Sequence, residues 1–232
     1  MLYRYFVIAP GLIMLLAGCA RPNGSQKLTI AAAADLNFAL EPISGAFRAA
    51  HPEVTLEINY GSSGNYYTQL RNRAPFDLFL SADLDYPRKL LTEGIGLPDS
   101  LFVYALGRIV IWVPAGSTRD PATVLRDPAL RSLGVYDRVE KKLVLGENIA
   151  QTLQFVETGA ADAGIVALSL ALAPQMRGKG RYWELPLDAY PKMEQGGIIL
   201  KPSPAAADFR GFLLSAPARR ILREYGFGLP GE

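Results

Sequence analysis

Asn59-Tyr60-Gly61-Ser62-Ser63-Gly64-Asn65 is the stretch whose reading decides the fold, taken with Ala31-Ala32-Ala33-Ala34-Asp35-Leu36. Each follows an apolar, alternating run, Val54-Thr55-Leu56-Glu57-Ile58 in one case and Leu28-Thr29-Ile30 in the other, and each precedes an amphipathic run. Period-two alternation followed by helical periodicity marks a strand-to-helix junction. The start of a helix leaves backbone N–H groups unpaired and carries partial positive charge, so a junction rich in small and hydroxylated residues is a natural cradle for an anion. Two such junctions on neighbouring strands would converge on one site.

Working outward, strand and helix patterns alternate, which predicts an α/β fold with parallel pairing. Leu28–Ala32, Val54–Tyr60 and Phe76–Leu80 read as strands. Leu36–Ala50 reads as a helix, with Pro42 either kinking it or standing near its start. Further helices are expected over Tyr66–Arg71 and Tyr86–Glu93. Leu101–Leu106 and Arg108–Val113, split by Gly107, look like strands leaving one lobe and entering another. A helix is expected to start at Asp120, then one at Ile149–Thr158, strands at Ala163–Ala167 and Ile198–Lys201, and a helical stretch over Ala205–Tyr225.

The net charge of the 232 residues is +2, with no basic stripe, so nucleic-acid binding has no electrostatic support. One cysteine and one histidine exclude an intrachain disulfide and argue against Cys- or His-ligated metal centres. His51 falls at an expected helix end, where a histidine is usually solvated or carbonyl-bonded.

The N-terminus reads as an export signal: a positive start at Arg4, an apolar core from Tyr5 to Leu16, then Leu16-Ala17-Gly18-Cys19. That last tetrapeptide resembles the bacterial lipobox, whose cysteine is lipidated after cleavage. Residues 1–19 are therefore expected as a lipoprotein signal, 20–27 as a tether, and the mature protein as anchored through Cys19 to a membrane from outside the cytoplasm.

Several stretches, in order along the chain, resemble periplasmic molybdate-binding proteins, the receptors of an ABC importer for oxyanions. They are Ala31–Leu36, Gly61-Ser62-Ser63-Gly64, Ala74–Asp83, Gly146-Glu147-Asn148-Ile149, Ala163-Gly164-Ile165-Val166 and Tyr225-Gly226-Phe227. The resemblance implies a two-lobe type II periplasmic-binding-protein fold, with residues 28–105 plus 195–232 in lobe one and 106–194 in lobe two. It implies a molybdate or tungstate ligand held by neutral hydroxyl and backbone donors, a design that avoids much of an ion pair's desolvation cost. Partners would be the importer permease and, through the anchor, a membrane. No cofactor is implied, molybdenum arriving only within the oxyanion, and the protein is expected to be a monomer.

Carried across residue by residue, the family's second serine matches Ser63, with Ser62 beside it. Helix capping competes for both hydroxyls. The first serine matches Asp35. A carboxylate aimed at a dianion would repel it by roughly 4 kcal/mol per unit-charge pair, so Asp35 is read as a helix N-cap. The anion would then take backbone donors near Ala34–Asp35, helped by Asn37. In lobe two the resemblance implies a backbone donor at Ile149, while Ala167 stands where the family has a tyrosine hydroxyl and Ser169 is a nearby substitute. Between Pro128 and Gly134, where the family has a further strand, a loop supplying another backbone donor and most of a helix, roughly twenty residues are missing by what a parallel crossover requires. Lobe two is therefore expected to be shortened, either repacked or part of a copy with weak or lost binding.

Two other readings stay open. Asp35 and Ala167 allow a receptor for sulfate, phosphate or another small anion. An enzyme would need Ser62 or Ser63 as nucleophile, but no Gly-x-Ser-x-Gly elbow is present and His51 is the one histidine base. Asp77, Asp83 and Asp85 read as strand-start and helix-capping carboxylates rather than an acid–base cluster.

Overall fold

Alternation sorts the strands into two sheets, each with its own apolar core. The structure, a computed structural model, describes residues 26–123 and 143–232. The export signal, Cys19, residues 20–25 of the tether and the Pro128–Gly134 junction lie outside the described residues.

In the first half of the chain the strands are β1 (Gln26–Ala33), β2 (Val54–Gly61), β3 (Leu78–Ser81), β4 (Phe102–Gly107) and β5 (Ile109–Pro114). In the second half they are β6 (Gly164–Ala167), β7 (Gly180–Glu184) and β8 (Met193–Ile199). The first sheet has the order β2-β1-β3-β8-β4; the second, among the described residues, has the order β6-β5-β7. The expected parallel pairing holds where helices connect the strands, for β1 with β2 and with β3. Elsewhere it is corrected: β8 is antiparallel to β3 and β4, and β5 is antiparallel to β6 and β7. The reason is topological. β8 enters the first sheet from the second, so it arrives from the opposite end.

Residue alternation covers both faces of the first sheet. Leu28, Ile30, Leu78, Leu80 and Ile199 face one core, with α1 (Leu40–Ala50), α6 (Pro204–Leu213) and α7 (Ala216–Glu224) packed over it. Ala31, Phe79 and Ile198 face the other, under α2 (Ser63–Arg71) and α3 (Asp85–Thr92). Phe47, Phe79 and Phe209 are fully buried, each contributing about 1.5–3 kcal/mol by transfer from water. The second sheet has a smaller core of Val110, Trp112, Leu153, Val156 and Val166 beneath α4 (Ile149–Glu157) and α5 (Leu168–Ala171). Phe38, from the first half of the chain, packs against this second core.

Several boundaries differ from expectation. The helix expected from Leu36 begins at Leu40, after a separate 3-10 turn, Ala34–Leu36. Pro42 then sits in the first turn of α1, where its missing N–H costs no helical bond. The C-terminal helical stretch is two helices, broken at Leu214–Ser215. The strand expected at Ile198 already starts at Met193, and β7 was not expected. From Asp120 the chain turns as far as Thr123, with Asp120 Oδ1 accepting the Ala122 N–H.

The chain crosses between the sheets at Arg108, separating β4 from β5, and returns through residues 185–192. Gly226, at φ 79°, turns the C-terminus back so that Gly228 pairs with Leu106 at the first crossing.

Candidate functional site

Register places the two junctions side by side. Ala33 lies opposite Gly61 and Ala32 opposite Leu80, so β1, β2 and β3 all end at one edge of the sheet. The 3-10 turn, the start of α2 and the Ser81-Ala82 turn meet there.

At the β2 end, Ser62 holds the N-cap position in extended backbone, yet its side chain makes no capping hydrogen bond. Tyr66 N–H makes the first helical bond, to the Ser62 carbonyl, so the N–H groups of Ser63, Gly64 and Asn65 precede the ladder. Ser63 Oγ accepts the Ala82 N–H at 3.0 Å, and its own proton goes to no acceptor among the described residues. Capping, the competing role for these serines, is therefore not what either hydroxyl does. A Cβ on Gly64 would lie 3.0 Å from the Tyr86 hydroxyl, so glycine lets that ring close over the junction.

The β1 end is built differently. Asp35 is 5 % exposed. It is not the expected N-cap: Ala33 holds that position, and Asp35 lies inside the turn. Its Oδ2 accepts from Gln195 Nε2, while Oδ1 is buried without a hydrogen-bond partner among the described residues. Gln195 Oε1 lies 3.1 Å from the Tyr104 hydroxyl, which also reaches the Ser81 carbonyl at 3.0 Å. Burial raises the Asp35 carboxyl from 3.8 to about 6, against the opposing pull of the Gln195 bond and of the Asp35 and Leu36 N–H groups. Burial, with the Asp35 charge, also pushes Tyr104 well above its ordinary range. The Asn37 N–H closes the turn onto the Ala34 carbonyl at 3.3 Å, and Ala34 itself is buried.

Lobe two supplies the facing wall, since α4 and α5 both pack against the 3-10 turn. Asn148 caps α4, its Oδ1 accepting the Ala150 and Gln151 N–H groups at 3.0 and 3.1 Å. The Ile149 N–H is left outside that cap. Gly146 fits only without a side chain, because a Cβ would come within 2.9 Å of Thr152 and the Asn148 carbonyl. Ala167 stands as the hydroxyl-free N-cap of α5. Ser169 is corrected as a substitute donor: its hydroxyl donates to the Asp35 carbonyl at 2.7 Å, so its proton ties the lobes together instead.

The carboxylates weighed for catalysis have structural partners. Asp77 accepts the Thr29 N–H at 2.7 Å and pairs with Lys201 at 2.9 Å, and Asp83 Oδ1 accepts the Asp85 N–H. His51 stacks on Phe47 at the opposite end of β2, about 25 Å from the serines by strand length. No group of three or more His, Cys, Asp or Glu that could hold a metal occurs among the described residues. None of the described helices is long and apolar enough to cross a membrane.

Sequence reasoning missed Gln195 and Tyr104. Their signal was present, Gln195 at the head of the run Gly196–Leu200 and Tyr104 inside the apolar run Leu101–Leu106, but nothing local says that they converge on Asp35.

The sequence matches the family described as bacterial extracellular solute-binding protein over residues 28–128 and 118–228. It is 33 % identical to the molybdate-binding protein ModA of Rhodobacter capsulatus, over 93 % of each chain. It is 31 % identical to a putative ABC transporter substrate-binding lipoprotein, YvgL, of Bacillus subtilis over 97 % of each. Among solved structures, the Azotobacter vinelandii periplasmic molybdate-binding protein superposes with a TM-score of 0.76 at 28 % identity, covering 88 % of this chain and 99 % of that one. The two-lobe α/β architecture is common to both structures.

Proposed function

The chain belongs to the bacterial extracellular solute-binding protein family, and we propose that it captures molybdate outside the cytoplasm and delivers it to an ABC importer. As a member of that family it is a binding protein rather than an enzyme. The observation that carries the ligand reading is Ser63: its Oγ is fixed by the Ala82 N–H, and among the described residues its proton is uncommitted, beside the N–H groups that open α2 without partners. A hydroxyl held in this way donates to an anion without the cost of reorganising. The relatives named for molybdate support the same reading.

In this reading the cradle comprises the Ser63 hydroxyl, with Ser62 beside it, the backbone at Ala34–Asp35, and the Ile149 N–H across the cleft. Tungstate, of the same shape and charge, is taken by the same donors. The lobes are residues 28–105 plus 195–232 and residues 106–194, with the signal in 1–19 and the tether in 20–27. The protein is a monomer on a lipidated Cys19, and the Bacillus subtilis relative is itself named a lipoprotein.

The test is a calorimetric or thermal-shift titration of the mature chain with molybdate, tungstate, sulfate and phosphate. Molybdate should raise the melting temperature once it exceeds its dissociation constant. A shift with sulfate or phosphate alone would reassign the ligand. No shift with any of the four would sink the receptor reading and leave a surface protein without an oxyanion ligand. Cys19→Ser should release the protein from the membrane fraction, and unchanged fractionation would reject lipidation.

A further inference from the structure

Asp35 is a buried carboxylate at the edge of a site read as holding a dianion. Among the described residues no cation offsets it. From β4 it meets Tyr104, from β8 Gln195, from α5 Ser169, and Asn148 and Gln151 stand in and before the first turn of the facing α4. At the neighbouring strand ends are Ser62, Ser63, Ser81 and Asp83, the last engaged by the Asp85 N–H. Glu194, next to Gln195, pairs with Arg88 and Lys192, and Glu147, before α4, is exposed. Among the described residues no ion pair to Asp35 occurs and Oδ1 has no hydrogen-bond partner.

We propose that Asp35 is the proton carrier of the site, a carboxylate in the empty cradle and a carboxylic acid in the filled one, so that each dianion is captured together with one proton. This rests on the oxyanion reading above. The balance is simple: one proton leaves the buffer and binds Asp35, no bond in the ligand changes, and the local charge on filling is −2 instead of −3.

The donors around Asp35 fit both states. The Tyr104 hydroxyl has one proton and two acceptors within reach, Gln195 Oε1 and the Ser81 carbonyl. With Asp35 ionised, Gln195 turns its NH2 to Oδ2, and the Tyr104 proton can satisfy only one of its two acceptors. With Asp35 protonated, the Gln195 amide can turn over: Oε1 accepts from the carboxyl O–H, the NH2 donates to the Tyr104 oxygen, and Tyr104 donates to Ser81. Each of the three contacts then has one donor and one acceptor, and the amide fills the same space, because its two ends are nearly equal in shape. Burial has already brought the carboxyl to about 6. A neighbouring dianion pushes it further in the same direction.

The experiment is calorimetric titration of the mature wild-type chain with sodium molybdate at pH 7.5, in two buffers of different ionisation enthalpy. It is repeated from pH 7 to 8.5. The expected result is uptake of close to one proton per anion, read from the buffer dependence. The dissociation constant should rise about tenfold per pH unit, while Asp35→Asn should show a flat profile and no uptake. Wild-type binding with no proton uptake and no pH dependence would overturn the proposal and leave the receptor reading intact. Absence of molybdate binding at every pH would overturn both.

Discussion

The turns after β1 and β2 end at one sheet edge, one strand apart, and their side chains have opposite electrostatic character. The second presents a hydroxyl proton and open N–H groups. The first presents a carboxylate held by Gln195 from one lobe, on a turn whose Asp35 carbonyl is held by Ser169 from the other. Strand-to-helix geometry favours an anion at both, so the difference lies in one side chain at each turn. Ser63 adds a donor at no charge cost. Asp35 adds a charge that the fold must bury.

That burial predicts the largest effect. The Asp35 carboxyl stands at about 6 in the folded protein against 3.8 ordinarily, so between those values the folded chain holds a proton that the unfolded chain has lost. The stabilisation is complete below the lower value and disappears as pH rises through about 6. Ionised at pH 7, Asp35 costs roughly 3 kcal/mol relative to a neutral group. Asp35→Asn should therefore raise the stability of the ligand-free protein at pH 7 by up to that amount, with the gain shrinking towards pH 4. Denaturant or thermal unfolding across pH 4–8 measures it, and parallel curves for the two proteins would erase the distinction between the turns.

At the other turn, Ser63→Ala should weaken molybdate binding by about 10- to 150-fold, the worth of one hydrogen bond to a charged group. It should also destabilise the free protein by about 1 kcal/mol, as the Ala82 N–H loses its acceptor. Calorimetry separates the two effects. An unchanged affinity would mean that the second turn works through backbone donors alone, as the first would have to.

How much of this was legible in the sequence follows from range. Alternation and small-residue clustering are local, so both junctions and the parallel β1–β2 pair could be read directly. β7 and most of β8 could not. β8 carries Gly196 and Gly197, which weaken a strand signal, but any side chain there would collide with Leu84 or Phe102. Asp35 was visible as an oddity, but its partner Gln195 is 160 residues away. Only the return crossing brings them together. Ser169 failed as a substitute donor for a similar reason: its acceptor, the Asp35 carbonyl, belongs to the other lobe.

Ser169→Ala sharpens the comparison at the first turn. It strips a buried carbonyl of its partner, at a cost of about 1–3 kcal/mol, and removes the hydrogen bond that ties the 3-10 turn to lobe two. If that tie helps keep the carboxylate from solvent, the midpoint of Asp35 ionisation, followed by NMR, should fall from about 6 towards 3.8. A midpoint that stays in place would mean that Gln195 and the surrounding core hold the charge in without help from the second lobe.

The smallest effect concerns the facing wall. Asn148 accepts two N–H groups of α4 and leaves the third, at Ile149, outside the cap. Asn148→Ala should cost about 1 kcal/mol of stability, the usual worth of a side-chain cap. The Ile149 N–H is backbone and survives the change, so molybdate affinity should fall by less than in Ser63→Ala. A larger loss would place the dominant donor in lobe two, and the contrast between the two lobe-one turns would then matter less for capture than the order of a helix start across the cleft.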